Sequence, residues 1–358
     1  MVKDLKNSFA GKKIFVTGHT GFKGVWLMEF LEYLGAETFG YSLMANSQPN
    51  HYSMIGKKYR ETIGDICDLE NLTTAISSFD PDAIIHLAAQ SLVRKSYQDP
   101  IETYQSNVMG SLMILKASHA AKNLRSILMI TTDKVYENLE IEHSYHENDR
   151  LGGYDMYSSS KACCEILVGS YRRSFYPILD FGNKHQVLIA TARAGNVIGG
   201  GDWNQDRLIP DLILSAVTER SVSIRNPLAI RPWQHVLDCI QGYILLTRKM
   251  LESDTSISGA WNFSPAKEGN LNVIEIAEHC KSVWPKIQYH IEKQQGAPHE
   301  AGILMLDSSK AVSLLGWQAK YQAEEAVKQT VEWYKNYYQQ NTVITAKQIE
   351  EYLNQNAV

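Results

Sequence analysis

The stretch Lys12-Lys13-Ile14-Phe15-Val16-Thr17-Gly18-His19-Thr20-Gly21-Phe22-Lys23-Gly24 decides how the chain folds. Lys12–Thr17 is a short apolar run of the kind that forms a buried strand. Gly18, Gly21 and Gly24 follow in GxxGxxG spacing. Phe22, Val25, Trp26, Met28, Leu31 and Leu34 then recur at helical spacing until Gly35 stops the pattern. Strand, glycine turn and helix in that order form a phosphate cradle. The first glycine permits a tight turn, the second lets backbone approach a pyrophosphate, and the third lets the helix lie close to the sheet. The phosphates would meet free N–H groups at the helix N-terminus.

The same alternation continues outward. Thr38–Tyr41, Thr62–Ile66, Ala83–Leu87, Ser126–Thr131 and Val187–Ala192 read as further strands. Leu69–Ser78 and a long segment from Pro100 to Lys122 read as helices between them. Strands separated by helices predict an α/β fold: a Rossmann-type, doubly wound parallel sheet with right-handed crossovers. Ligands on such sheets bind at the carboxyl ends of the strands. After Gly195 the pattern changes to loops and short helices rich in Gly, Pro, Trp and Arg. The expected organisation is a dinucleotide-binding domain over 1–194, a smaller C-terminal substrate-binding cap over 195–340, and a tail or docked helix over 341–358. Later segments are free to join the first sheet.

Composition narrows the function. The 358 residues carry 35 Lys plus Arg against 39 Asp plus Glu, with no long basic run, which argues against nucleic acid as a partner. No apolar stretch is long enough to span a bilayer, and the first residues lack a signal-peptide core, so a cytoplasmic protein is expected. Five cysteines without a CxxC pair point to reduced thiols rather than disulfides or zinc, and no metal is expected.

Tyr157-Ser158-Ser159-Ser160-Lys161 is YxxxK, which on a helix puts phenol and ammonium on one face. A neighbouring Lys⁺ favours phenolate, so Tyr157 is a candidate base with Lys161 as its partner. Thr131-Thr132-Asp133-Lys134 follows the Ser126–Thr131 strand. His86-Leu87-Ala88-Ala89-Gln90 ends another strand in small residues, and His86, lying before the small-residue turn, has a structural role.

These motifs, in this order, resemble the extended short-chain dehydrogenase/reductase family. The resemblance runs from about Gly11 to Lys335. It implies a bound NAD or NADP, held by Gly18, Thr20, Gly21, Phe22, Lys23, Gly24, Asp65, Ile66, Leu87, Ala88 and Ala89 together with Tyr157 and Lys161. It places Thr132 against Tyr157 and gives Asn107 a supporting role. One departure stands out: the second strand ends in Tyr41-Ser42-Leu43, with neither the acid that usually holds the adenosine ribose nor an arginine for a 2′-phosphate. NAD against NADP therefore stays open at this point.

Within the family, Gly18–Leu27 and Arg193-Ala194-Gly195-Asn196-Val197-Ile198-Gly199-Gly200-Gly201-Asp202-Trp203 resemble the branch that dehydrates CDP-linked hexoses. That branch implies a CDP-sugar substrate, C4 oxidation, loss of water across C5 and C6, and hydride return to C6. Its biosynthetic setting is deoxysugars for lipopolysaccharide. Asp133 is then the acid for the C6 hydroxyl, directly or through water. Lys134 either takes the C5 proton or stabilises an enolate. Asn196, Arg207, Arg231, Trp233 and His299 are the implied substrate contacts, with Glu300 beside them. A homodimer through a bundle of the Pro100–Lys122 and Tyr154–Phe175 helices is implied by analogy. Two rivals compete: a dTDP-, GDP- or UDP-sugar dehydratase or epimerase, and a non-catalytic dinucleotide sensor. The sensor would tolerate loss of Tyr157 or Lys161, and both are present with Thr132.

Overall fold

The structure is a computed structural model and describes residues 2–45, 47–204, 206–292 and 302–355. Seven parallel strands form its central sheet: β1 (Lys13–Thr17), β2 (Glu37–Ser42), β3 (Glu61–Ile63), β4 (Ala83–His86), β5 (Ser126–Ile130), β6 (Leu188–Ala194) and β7 (Ala260–Phe263). The spatial order is β7-β6-β5-β4-β1-β2-β3. Direction of winding reverses between β1 and β4, whose registers pair Thr17 with His86. That reversal opens a crevice at the carboxyl ends of the two strands, which is where such sheets bind ligands.

The strands are apolar because both faces are covered. Ile14, Val16, Ile85, Leu128 and Ala190 pack into one core, which the cap helices complete. Phe15, Ile84, Ile127 and Ile189 alternate into the other core. Phe15 stacks on Phe39 with ring centroids 5.5 Å apart.

Several elements differ from the sequence reading. β3 ends at Ile63, so Asp65 and Ile66 lie in the turn after the strand. The helical segment after Pro100 is not regular: α-helix over Pro100–Tyr104, a π-helical turn over Gln105–Met109, then α-helix over Gly110–Ala117. Buried Asn107 sits in the π turn and makes three side-chain hydrogen bonds, two with the Gln90 backbone and one with Ser160 Oγ. Wider turns of this kind recur at functional sites.

The later chain is not only loops and short helices. Val236–Leu251 and Ala323–Gln340 are long helices, and β7 pairs with β6 to extend the main sheet. Val236–Leu251 is almost wholly buried because it packs under the sheet rather than on its surface. The Thr345–Asn354 segment is a helix that buries Ile349, Tyr352 and Leu353. The Tyr352 hydroxyl lies within hydrogen-bond distance of Asp238 Oδ1 at 2.8 Å and of Gln241 Oε1 at 2.7 Å.

Candidate active site

A cavity of about 990 Å³ opens over the crevice and is lined from both the sheet and the cap. On the sheet side lies the glycine turn. Gly18 has φ +72°, and a Cβ there would stand 2.7 Å from the Ala88 amide nitrogen. A Cβ at Gly24 would stand 2.1 Å from the Gly18 carbonyl. Both positions therefore require glycine, and turn, helix and β4 end meet backbone to backbone. The result is a floor of amides without side chains at a helix N-terminus, which fits a dinucleotide pyrophosphate.

Thr20, Gly21, Phe22 and Lys23 line the same side, as do Leu87, Ala88 and Ala89. Burial lowers the Lys23 ammonium, and nearby Arg207 and Lys134 lower it further. Asp65 and Ile66 line the far end, where the Asp65 carboxylate accepts from Cys67 N–H at 2.8 Å. At the end of β2, Ser42 and Thr20 bond each other through their hydroxyls at 2.9 Å. Among the described residues, neither hydroxyl there is bonded to a carboxylate. His86 lies below the floor, between Thr17 at 2.7 Å and Ser111 at 3.2 Å. Burial, helped by Lys161, pushes its imidazole down to about 3, so it is neutral and structural.

The catalytic candidates meet at the centre. Thr132, Lys134, Tyr157 and Lys161 all line the cavity. The Tyr157–Thr132 hydrogen bond exists and favours phenolate. It is outweighed: burial, helped by the charge of Asp133, pushes the phenol up to about 12. The expectation that Lys161 lowers the phenol is therefore corrected for this state. Burial lowers the Lys161 ammonium instead, and its Nζ donates to the Ile130 carbonyl at 3.1 Å. Both side chains face the same cavity.

Asp133 is wholly buried. Its Oδ1 accepts from Thr132 Oγ1 at 2.9 Å and from Lys134 Nζ at 3.3 Å. Its Oδ2 is buried without a partner among the described residues. An unpartnered buried carboxylate oxygen between two residues that line the cavity makes Asp133 a candidate for the chemistry.

A polar network that sequence reading missed holds this strand end in place. Glu165, one helical turn beyond Lys161, accepts from Thr131 at 2.5 Å, Thr191 at 2.7 Å and Arg193 at 2.8 Å. Arg193 also donates to the Tyr136 hydroxyl at 2.8 Å. Tyr136 in turn donates to Asn262 at 2.7 Å. One buried ion pair thus ties the YxxxK helix to both flanks of Thr132–Lys134.

On the cap side, Asn196, Arg207, Arg231 and Trp233 all line the cavity. Arg207 pairs with Asp202 at 3.3 Å. The Arg231 guanidinium donates to the Ile230 carbonyl at 2.8 Å, and Trp233 Nε1 donates to Leu271 at 2.9 Å. Two unforeseen arginines, Arg94 and Arg225, join them and meet across the cavity on Asp206, at 3.1 and 3.3 Å. His299 and Glu300 lie outside the described residues. Among the described residues, no cluster suited to a metal ion occurs and no helix is long and apolar enough to cross a membrane.

Fold and site together define a dinucleotide-binding enzyme class with a Tyr–Lys–Thr centre, the short-chain dehydrogenase/reductase architecture. Comparison with known proteins gives the family. The sequence pattern of the GDP-mannose 4,6 dehydratase family matches residues 15–330. A CDP-glucose 4,6-dehydratase of Salmonella typhimurium is 42% identical over 332 residues, covering 92% of each chain. A dTDP-glucose 4,6-dehydratase of Haemophilus influenzae is 27% identical, covering 90% of this chain and 97% of its own. Among solved structures, an epimerase of Methanothermobacter thermautotrophicus superposes with a TM-score of 0.80 at 21% identity, covering 95% of this chain and 97% of that one. A dTDP-glucose 4,6-dehydratase of Bacillus anthracis, solved with NAD, gives 0.75 at 20% identity, covering 92% and 98%. The chain belongs to the GDP-mannose 4,6 dehydratase family, in the extended short-chain dehydrogenase/reductase group.

Proposed function

We propose that the chain is a CDP-glucose 4,6-dehydratase that converts CDP-D-glucose to CDP-4-keto-6-deoxy-D-glucose with NAD. The observation that carries this reading is 42% identity across 92% of the chain to a relative of that name. Thr132 and Lys134 lining the cavity, buried Asp133 bonded to both, and arginines along the cap support it. The arginines suit the diphosphate, since guanidinium forks bind such oxygens in pairs.

NAD, which the glycine turn with Thr20, Lys23, Asp65, Leu87, Ala88 and Ala89 would hold, would supply the hydride acceptor for C4 and the donor for C6, and its positive charge would offset the burial of a phenolate. Tyr157 takes the C4 hydroxyl proton, with Thr132 beside it. The ketone at C4 acidifies the C5 proton. Asp133 and Lys134 then act as a couple. One proton moved across their 3.3 Å contact turns the ion pair into a carboxylic acid and an amine. The acid protonates the departing C6 hydroxyl, and the amine takes the C5 proton. Elimination therefore regenerates the ion pair; as hydride returns to C6, Lys134 gives a proton back to C5 and the proton held by Tyr157 replaces it, so no external proton is needed.

The test is product analysis. Purified protein incubated with CDP-glucose and NAD should release a 4-keto-6-deoxy sugar nucleotide. Turnover of dTDP-, GDP- or UDP-glucose in preference, or a C4 epimer as product, would overturn the reading. Lys134→Ala should slow elimination by about 10²-fold or more while C4 oxidation, followed as cofactor reduction in a single turnover, falls far less. Equal loss of both partial reactions would remove Lys134 from the elimination step.

The same reading makes the protein a cytoplasmic homodimer that serves deoxysugar formation for lipopolysaccharide. The two long helical segments carry exposed apolar side chains, Ile101 at 71%, Met109 at 44% and Ile166 at 60%, which support pairing with a second copy. Five free cysteines fit a reducing compartment.

A further inference from the structure

A second cavity, of about 430 Å³, lies behind the active site between the Met156–Phe175 helix and the β6–β7 edge of the sheet. Four cations line it: Arg172, Arg173, Arg193 and Lys310. Two carboxylates, Glu147 and Glu165, stand against them. Glu165 is committed to Arg193 and to two threonines. Glu147 accepts from the Asn262 amide at 2.9 Å. No carboxylate lies within ion-pair distance of Arg172, Arg173 or Lys310 among the described residues. Arg172 donates only to the Ile189 carbonyl at 3.4 Å, and Lys310 to the Ala260 carbonyl at 2.6 Å. Arg193 is 3% exposed, and its Nε is buried without a partner.

Four cations against two carboxylates leave the cavity with an excess of positive charge. Burial lowers Arg172, and Arg173 lowers it further. Burial lowers Lys310, against Glu147, and Arg193 and Arg172 add to the lowering. We propose that this cavity is a binding site for a small phosphate-bearing anion, distinct from the nucleotide cavity. That excess suits a phosphate dianion or pyrophosphate, and two guanidinium groups on adjacent residues offer paired donors to its oxygens. Arg193 links the site to the active centre, because the same side chain donates to Tyr136, which lines the larger cavity.

Calorimetric titration of the NAD-loaded protein with inorganic phosphate, and separately with pyrophosphate, tests the assignment. Saturable binding is expected, weakened by added salt. Arg172→Gln/Arg173→Gln should lower the affinity roughly tenfold or more, since each charge-assisted hydrogen bond contributes about that order. Arg207→Gln should weaken binding of these anions to the cap arginines of the other cavity and leave the affinity of this site unchanged. Arg173 is exposed, so the single Arg173→Gln variant gives the same test with a smaller drop should the double variant misfold. Absence of saturable binding, equal affinity in the Arg173 variants, or loss in Arg207→Gln instead would overturn the site. None of these readings depends on which sugar nucleotide the enzyme turns over.

Discussion

Tyr157→Phe is expected to keep the fold and the bound dinucleotide while lowering kcat by about 10²–10⁴-fold. The substitution removes one oxygen from a side chain that is 8% exposed and lines the cavity. Its backbone amide still donates to Ser96 Oγ at 3.1 Å, so the helix start is unchanged. What disappears is the atom that receives the C4 proton. Because burial holds the phenol at about 12 in the structure, activation must come with the ligands. The pH profile of the first half-reaction should therefore show its alkaline-side group only with NAD present. Single-turnover cofactor reduction, read by absorbance, measures the loss. A variant that still oxidises C4 at the wild-type rate would remove Tyr157 from the chemistry, whatever the fold.

The parts of this site legible in the sequence are those written within one turn or one helix. The glycine turn is local: Gly18 and Gly24 are required by contacts within the strand–turn–helix unit and by the end of β4. YxxxK is local for the same reason, since i and i+4 share a face. Thr132–Lys134 was legible because it follows an apolar strand. Arg94, Asp206 and Arg225 were not, because three separate elements bring them together and each alone is an ordinary surface charge. β7 was missed because four residues, Ala-Trp-Asn-Phe, are too short to display a period. The π turn at Asn107 was missed because its sequence is compatible with a regular helix, and only the Gln90 and Ser160 partners reveal why it widens. The lowering of Tyr157 by Lys161 was overread: sequence spacing gives the shared face, whereas burial, which dominates the phenol, is a property of the whole fold.

Glu165 shows the same division, and it carries the largest expected effect on stability. It lies in the YxxxK helix, 3% exposed along its side chain, with Arg193 equally buried. Burial alone would raise its carboxyl, but the Arg193 charge and the hydrogen bonds from Arg193, Thr131 and Thr191 outweigh burial and hold it below the usual glutamate range. Glu165→Ala leaves a buried guanidinium without its counter-charge and two threonine hydroxyls without their acceptor. The expected loss is about 3–5 kcal/mol, the cost of breaking rather than replacing a buried pair. Glu165→Gln keeps an oxygen acceptor and should lose less. The pH dependence has a definite sign. A carboxyl depressed in the folded state stabilises the fold above the unfolded glutamate value, and that contribution is lost as pH falls through the folded one. The gap between wild type and Glu165→Ala in urea midpoint should be full at neutral pH and shrink only below about pH 4. A gap under about 1 kcal/mol at pH 7, the level of a surface pair, would mean that the Arg193 network does not hold the Thr132–Lys134 segment in place. A gap that grows on acidification would mean that Glu165 is protonated in the fold.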